Sequence, residues 1–158
     1  MKISFLLAPL LLLAAACALA DAPFTVSADG TEVADGRTGL IWRRCAEGMT
    51  ATGGSCTGTA STFTHESALT RARDQATSTS VAWRLPNVKE LASIADRSKS
   101  NPAIDTAAFP ATPSNVFWSS SPLVGYAYYA RNVYFLNGGV YNDDRNYAFP
   151  VRLVRAGQ

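Results

Sequence analysis

The residues of this sequence best suited to recognition chemistry lie between Gly125 and Tyr147, in the stretch GYAYYARNVYFLNGGVYNDDRNY. All six tyrosines of the chain occur there, among several asparagines. Tyrosine offers a large amphipathic contact area at low entropic cost, and asparagine offers adaptable hydrogen bonds, a composition typical of binding surfaces. The same side chains suit sugars, which stack on aromatic rings and hydrogen-bond to amides. The stretch predicts a ligand-binding surface formed by Tyr126, Tyr128, Tyr129, Arg131, Tyr134, Asn137, Tyr141, Asn142, Asp144, Arg145, Asn146 and Tyr147.

A second interpretation of this stretch is purely structural. Tyrosine is a good strand former, so a tyrosine-rich antiparallel sheet would have the same composition without binding anything. The sequence leaves both interpretations open.

Four arginines near the C-terminal end could form a basic patch for sulfate groups, because guanidinium binds oxyanions in a bidentate manner. They are Arg131, Arg145, Arg152 and Arg155. The alternative, favoured for Arg152, is that the last two are scattered surface arginines or are ion-paired.

Metal and catalytic chemistry find little support. Asp143 and Asp144 beside Asn142 could bind calcium, but a solvated turn is the preferred interpretation, and no EF-hand spacing is present. His65 is the only histidine and is expected to be exposed at a helix start, and no Gly-x-Ser-x-Gly elbow occurs. No motif or spacing in the sequence identifies two carboxylates that could act together as in a glycosidase. We expect no cofactor, no metal site and no enzymatic activity.

The N-terminal segment predicts export. Met1 and Lys2 precede an apolar run, and Ala18-Leu19-Ala20 fits a cleavage site, so residues 1–20 are expected to be a signal peptide rather than a membrane span. Residues 13–17, LAAAC, also resemble a lipoprotein cleavage box, which would remove residues 1–16 and lipidate Cys17. The expected location is extracytoplasmic: periplasmic, secreted or, as a lipoprotein, attached to the outer membrane. A lipid anchor would be the only membrane association.

The remaining cysteines, Cys45 and Cys56, are expected to pair, because an exported domain with two cysteines favours a disulfide. Two cysteines and one histidine are too few for a structural zinc site. The net charge of +2 gives no support for nucleic-acid binding.

Local signals predict two helices and several strands in one domain, residues 24–158. Thr64 is a good N-cap for a helix over 64–76, whose inner face would carry Ala68, Leu69 and Ala72. Asn87 and Glu90 have capping-box spacing for a second helix that ends near residue 97. Strands are expected over 38–42, 116–121, 128–136 and 151–155, and Asn137-Gly138 predicts a hairpin turn. The result is an α+β domain with two helices packed on a twisted, mostly antiparallel sheet.

Five motifs in order carry a family resemblance: TGLIW at 38–42, WRLPNVKEL at 83–91, NPAID at 101–105, FWSSS at 117–121 and VRLVR at 151–155. From about residue 33 to its end the chain resembles the Lcl C-terminal domain family, named for a Legionella collagen-like adhesin. The pair Cys45 and Cys56 also resembles a feature of one branch of that family. The WRLP motif would supply an arginine for a buried ion pair, and the serines of FWSSS would satisfy nearby backbone groups.

The resemblance implies a C-type-lectin-like fold and an exported binding role, since the namesake domain binds sulfated polysaccharides. The fold that the resemblance implies is similar to that of the formylglycine-generating enzyme, whose chemistry relies on a pair of cysteines late in its sequence. This chain has no cysteine after Cys56, so that activity is not expected here. We therefore expect a non-catalytic domain that binds carbohydrate, plausibly a sulfated glycan, or another cell-surface ligand. The alternatives are an envelope assembly component that binds a protein or itself as a trimer, and a variable receptor of a diversity-generating retroelement.

Overall fold

The computed structural model describes residues 23–157. The predicted signal peptide and Cys17 lie outside these residues. The elements are β1 (Phe24–Val26), β2 (Glu32–Asp35), β3 (Leu40–Arg43), β4 (Thr50–Thr52), β5 (Ser55–Thr57), β6 (Thr62–Phe63), α1 (His65–Thr79), α2 (Val88–Ser93), β7 (Val116–Pro122), β8 (Tyr129–Tyr134), β9 (Gly139–Asp144), β10 (Phe149–Pro150) and β11 (Val154–Ala156).

The strands pair antiparallel throughout the described residues, but they form four small sheets rather than the single sheet expected. Their orders are β1-β2-β3-β11, β7-β8-β9, β4-β5 and β6-β10. The C-terminal strand closes the first sheet by placing Val154 opposite Trp42. The predicted strand over 151–155 is wrong for 151–153, where the Val151 carbonyl accepts from the N–H of the loop residue Glu47 instead of from a neighbouring strand. The α+β class with two helices is confirmed.

Helix α1 begins where its N-cap predicts and ends later than expected. The Thr64 hydroxyl accepts a hydrogen bond from the Ser67 backbone N–H, as in a standard N-cap. The helix continues to Thr79, and the hydroxyls of Thr77 and Thr79 donate to the carbonyls of Arg73 and Gln75, one turn earlier. Ser80 then ends it in the left-handed conformation.

The face of α1 that packs inward is narrower than predicted. Ala68 and Ala72 are buried as expected, whereas Leu69 is 42% exposed and the prediction for it is wrong. Small residues on the buried face let the helix lie close to the sheet of β7, β8 and β9.

Helix α2 carries the predicted capping box, with Asn87 and Glu90 bonding reciprocally. It ends at Ser93 rather than near residue 97, because Ala95 leaves the helix to form a bridge with Ile104. Arg84 forms the ion pair expected of its motif, with two hydrogen bonds to Glu90 that lower the pKa of that carboxyl. The pair is at the surface, however, and not buried as expected.

Two hydrophobic clusters make up the core. The larger one includes Trp42, Leu91, Phe109, Phe117 and Phe135, which come from β3, α2, the long connection before β7, β7 itself and the turn after β8. The smaller one packs α1 against the sheet and includes Trp83, Leu85, Trp118, Ala130 and Leu153.

The serines after Trp118 act on the backbone as their motif predicts. Ser119 donates to the Arg131 carbonyl at 2.6 Å and Ser120 to the Pro86 carbonyl at 3.2 Å. The Ser121 hydroxyl accepts from the Val88 N–H at 3.0 Å, so β7 is joined to the start of α2.

Arg152 is fully buried, which overturns its placement at the surface or in a basic patch. Its guanidinium donates to the carbonyls of Arg43 and Arg44 and to the Thr112 hydroxyl, and it lies 4.9 Å from the ring centroid of Phe109. Burial lowers its pKa to about 9, which still leaves it charged at neutral pH. Arg152 thereby connects the C-terminal segment, the end of β3 and the connection before β7.

The predicted disulfide between Cys45 and Cys56 is confirmed. It closes a loop over a sequence separation of 11 that contains the β4–β5 hairpin. A loop this short should contribute roughly 2–3 kcal/mol through restriction of the unfolded chain.

Replacing Arg152 with methionine should strongly destabilise the domain. Methionine has similar length, but it leaves the buried carbonyls of Arg43 and Arg44 without their donor, so we expect the free energy of unfolding to fall by about 3–5 kcal/mol. Urea denaturation measures this loss, and Arg73→Met on the exposed face of α1 is the matched control, expected to change it by less than about 0.5 kcal/mol. Equal losses in both variants would contradict a bridging role for Arg152.

Candidate functional site

Most of the predicted site residues are solvent-exposed around the β7-β8-β9 sheet. Tyr126, Tyr128, Tyr141 and Tyr147 expose between 46% and 76% of their surface, and Tyr129 exposes 39%. Tyr134 is half-buried. We call the exposed side chains between residues 123 and 147 the tyrosine surface. It surrounds the sheet rather than forming part of either core cluster.

Strand register divides these residues between two faces of the sheet, because directly opposed residues in antiparallel strands point to the same side. Tyr129 lies opposite Asp144, and Arg131 lies opposite Asn142. Tyr141 lies opposite Asn132, which is buried and on the other face. The candidate residues on these strands therefore face two sides of the sheet and do not form a single patch.

The first cleft has a volume of about 420 Å³ and is lined by Leu123, Tyr126, Tyr129 and Asn142. The two tyrosine rings meet edge-to-face with centroids 6.4 Å apart. Backbone hydrogen bonds from Tyr126 to Leu123 and from Tyr129 to Tyr126 shape the loop that carries them. This cleft is therefore formed before any ligand arrives.

The second cleft, of about 330 Å³, lies between the start of α1 and the ends of β8 and β9. Tyr128, Arg145 and Asn146 line one side, and Glu66 and Leu69 line the other. It combines an aromatic ring, a guanidinium, an amide, a carboxylate and an exposed aliphatic side chain. Sequence reasoning found the first three and missed the α1 residues, since Leu69 was assigned to the helix interior.

Backbone contacts hold Arg145 at this cleft. Its N–H donates to the Tyr128 carbonyl at 2.8 Å, its carbonyl accepts from the His65 N–H at 2.9 Å, and its Nε donates to the Tyr129 carbonyl at 3.2 Å. The guanidinium is thus positioned with its terminal nitrogens still able to donate.

The third cleft, of about 310 Å³, lies on the opposite face and is lined by Val116, Tyr134, Tyr141, Asn142 and Asp143. The rings of Tyr134 and Tyr141 are 6.3 Å apart. Asn142 lines both this cleft and the first one because it lies on β9, at the edge of the sheet.

Several predicted contact residues have clear structural roles. Asn137 accepts from the Gly139 N–H in the hairpin turn and donates to the Tyr141 hydroxyl. Asp144 accepts from the backbone and side chain of Asn146, which forms the turn after β9. Tyr147 packs edge-on against Phe149 at 6.2 Å. Arg131, Asn137, Asp144 and Tyr147 line none of the three clefts.

The predicted four-arginine patch is wrong. Arg152 is in the core, and Arg155 pairs with Glu32 at 2.6 Å on the four-stranded sheet. Of the four, only Arg131, which is exposed, and Arg145, which is half-buried, lie between residues 123 and 147. Two guanidiniums rather than four are therefore available there for an anionic group.

Asp143 and Asp144 are adjacent on β9, so their side chains point to opposite faces. The Asp143 carboxylate accepts a hydrogen bond from the buried amide of Asn132 at 2.9 Å. Between residues 23 and 157 no group of three or more histidine, cysteine, aspartate or glutamate side chains is arranged to hold a metal ion.

His65 is buried, contrary to the expectation that it is exposed. Its Nε2 donates to the Ser119 carbonyl at 3.0 Å, and its ring packs edge-on against Trp118. Desolvation lowers its pKa below the ordinary value of 6.5, and the nearby charge of Arg145 acts in the same direction. His65 therefore joins α1 to β7 as a neutral ring beneath the second cleft.

The fold and these clefts define a small disulfide-bonded α+β domain with an exposed aromatic surface. Residues 31–155 match the family model of the Lcl C-terminal domain, so the chain belongs to that family. Neither a curated protein nor a solved structure matches the chain. Within the described residues, none of the helices combines the length and apolar character needed to cross a bilayer.

The buried His65 predicts acid sensitivity of the fold. Because its pKa is lower in the folded state, the unfolded chain binds the proton more tightly, and stability falls as the pH drops below about 6.5. We expect the free energy of unfolding to decrease between about pH 7.5 and pH 5.5, a range in which ordinary carboxyl groups stay ionised. Chemical denaturation at several pH values measures this slope.

His65→Gln is the informative variant, because its amide can still donate to the Ser119 carbonyl but does not titrate. It should flatten the slope in that range, whatever its effect on stability at neutral pH. An unchanged slope in the variant would show that the acid sensitivity has another source.

Proposed function

We propose that this chain is an exported, non-catalytic binding domain whose tyrosine surface recognises a carbohydrate or another cell-surface ligand. The observation that carries the proposal is the exposure of Tyr128, at 76%, beside Arg145 and Asn146 in a preformed cleft. A stable fold gains little from an aromatic ring left in water, so its exposure favours contact with a ligand.

The chemistry of the second cleft fits a sugar. A pyranose ring presents an apolar face that stacks on an aromatic side chain and hydroxyls that bond to amides, carboxylates and guanidiniums. Tyr128, Asn146, Glu66 and Arg145 offer this set within one cleft. Shallow, open clefts on several sides of a sheet suit an extended chain of sugars better than a small ligand that must be enclosed.

The finer proposals rest on the family resemblance together with the charge of this surface. A sulfated glycan would meet Arg131 and Arg145, whose planar guanidiniums bind oxyanions well. A C-type-lectin-like relationship of the fold is likewise proposed, as are export through residues 1–20 and an extracytoplasmic location.

A second candidate function is assembly with a protein partner or with further copies of the chain. It is favoured by strand β9, which within residues 23–157 pairs on one side only, with β8. An unpaired strand edge next to exposed tyrosines can accept another strand. Asp143 and Asp144 on that strand oppose such pairing through their charge.

Binding to a glycan array and to a heparin column tests the carbohydrate proposal. We expect retention by at least one glycan, with Tyr128→Ala and Arg145→Gln each weakening affinity about five- to tenfold through lost stacking and a lost charged hydrogen bond. Arg131→Ala should weaken binding only to sulfated glycans. Arg73→Gln, an exposed arginine outside the three clefts, is the charge-matched control and should bind normally.

Failure of every glycan to bind the native protein would refute the carbohydrate proposal. Light scattering of the purified protein then tests the second candidate function, assembly. A stable oligomer that dissociates on Tyr141→Ser, at the β9 edge, would support assembly from copies of the chain, and a monomer at all concentrations would refute self-assembly.

A further inference from the structure

A fourth cleft lies away from the tyrosine surface, between α1 and the loop closed by the disulfide. It has a volume of about 430 Å³, and Arg43, Glu47, Met49, Arg71 and Gln75 are among its lining residues. None of its lining residues belongs to the segment 123–147. Any ligand here would be independent of the proposed function.

Helix geometry brings two guanidiniums together in this cleft. Arg71 and Gln75 are four residues apart on α1 and therefore lie on the same side of the helix. Gln75 accepts a hydrogen bond from Arg43 Nη2 at 3.0 Å, while Arg71 Nε donates to Glu47 Oε2 at 2.8 Å. Arg43 is thus held one helical turn from Arg71, and both side chains line the same cleft.

Both guanidiniums are oriented but not saturated. Arg43 is fixed over the Trp83 ring, with Cζ 4.7 Å from the ring centroid, and of its two terminal nitrogens only Nη2 has an acceptor among the described residues, the Gln75 side chain. Arg71 uses only Nε for Glu47, and within residues 23–157 its terminal nitrogens donate to no other group. Each arginine therefore keeps donors for an incoming oxygen.

The charges in the cleft are unbalanced. Glu47, with only 6% of its surface exposed, supplies one negative charge against the two positive charges of Arg43 and Arg71, which leaves a net charge of +1. A singly charged anion would neutralise this cleft, whereas a dianion would bring a second negative charge close to the Glu47 carboxylate. Planar carboxylates also match the guanidinium fork.

We propose that this cleft binds the carboxylate of a small organic acid, held between the guanidiniums of Arg43 and Arg71. The volume of the cleft leaves room for the organic part of such a molecule, and the Met49 side chain gives it an apolar contact. Gln75 and Glu47 position the two arginines and contact the ligand only indirectly.

NMR titration of the oxidised mature protein tests the proposal with four probes: D-glucuronate, acetate, D-glucose and sulfate. We expect saturable shifts of amides around residues 43–51 and 71–75 with glucuronate and more weakly with acetate. Glucose, which lacks the carboxylate, should cause none, and sulfate should bind less well than glucuronate. No saturable shift with either carboxylate, or equal binding of glucose and glucuronate, would overturn the proposal.

Variants that separate charge from geometry complete the test. Glu47→Gln raises the net charge of the cleft to +2 and should tighten glucuronate binding about three- to tenfold. The double variant Arg71→Gln/Glu47→Gln replaces the ion pair with two amides that can hydrogen-bond to each other, and it keeps the net charge of the cleft at +1. Because it lacks one guanidinium, it should bind glucuronate about tenfold more weakly than the native protein. Wild-type affinity in the double variant would overturn the role of Arg71.

Arg73→Gln is the matched control, because Arg73 lies on the same helix but not in the cleft. Its affinity should equal that of the native protein. Amide spectra of all variants report whether they are folded. Glycan retention by the tyrosine surface should be the same in the double variant, so failure of either proposal leaves the other testable.

Discussion

The buried guanidinium of Arg152 is the constraint on which this structure depends. Much of the chain runs in connections without regular strands or helices, and the carbonyls of such backbone need donors once they leave water. Arg152 supplies them to Arg43 and Arg44, and Arg44 in turn donates to the carbonyls of Ala107 and Ala108. Two arginine side chains therefore replace part of the hydrogen-bond ladder that a continuous sheet would provide, and the disulfide secures the neighbouring loop.

Features determined by neighbouring residues could be predicted from the sequence. The caps at Thr64 and Asn87, the turn at Asn137 and Gly138 and the disulfide all follow from residue type and local spacing, and all are present. Features that depend on distant partners could not be predicted. The burial of Arg152 requires acceptors more than 100 residues away in sequence, and the burial of His65 requires the Ser119 carbonyl. The interruption of the predicted C-terminal strand has the same origin, because the Val151 carbonyl accepts from the N–H of Glu47, a loop residue more than 100 positions earlier.

The types of residue at the candidate site could be predicted from the sequence, but their arrangement in space could not. The tyrosines between residues 126 and 147 are half-buried or exposed, yet strand register and the adjoining loops distribute five of the six over three separate clefts. Glu66 and Leu69 join Tyr128 only because α1 packs beside the β8–β9 end of the sheet, a tertiary contact with no local signal. The core clusters and Arg152 stabilise the scaffold, while the exposed rings lie outside both clusters. The residues that stabilise the fold therefore differ from those for which recognition is proposed.

That separation is tested most directly by the free energy of unfolding of a triple variant, Tyr126→Ser, Tyr128→Ser and Tyr147→Ser, measured by urea denaturation. If these rings serve recognition, their loss should cost less than about 1.5 kcal/mol in total, as for surface substitutions, whereas Phe117→Ala in the core should cost about 3–5 kcal/mol alone. A triple variant as unstable as the Phe117 variant would contradict the account, because the tyrosines would then be part of what holds the fold together.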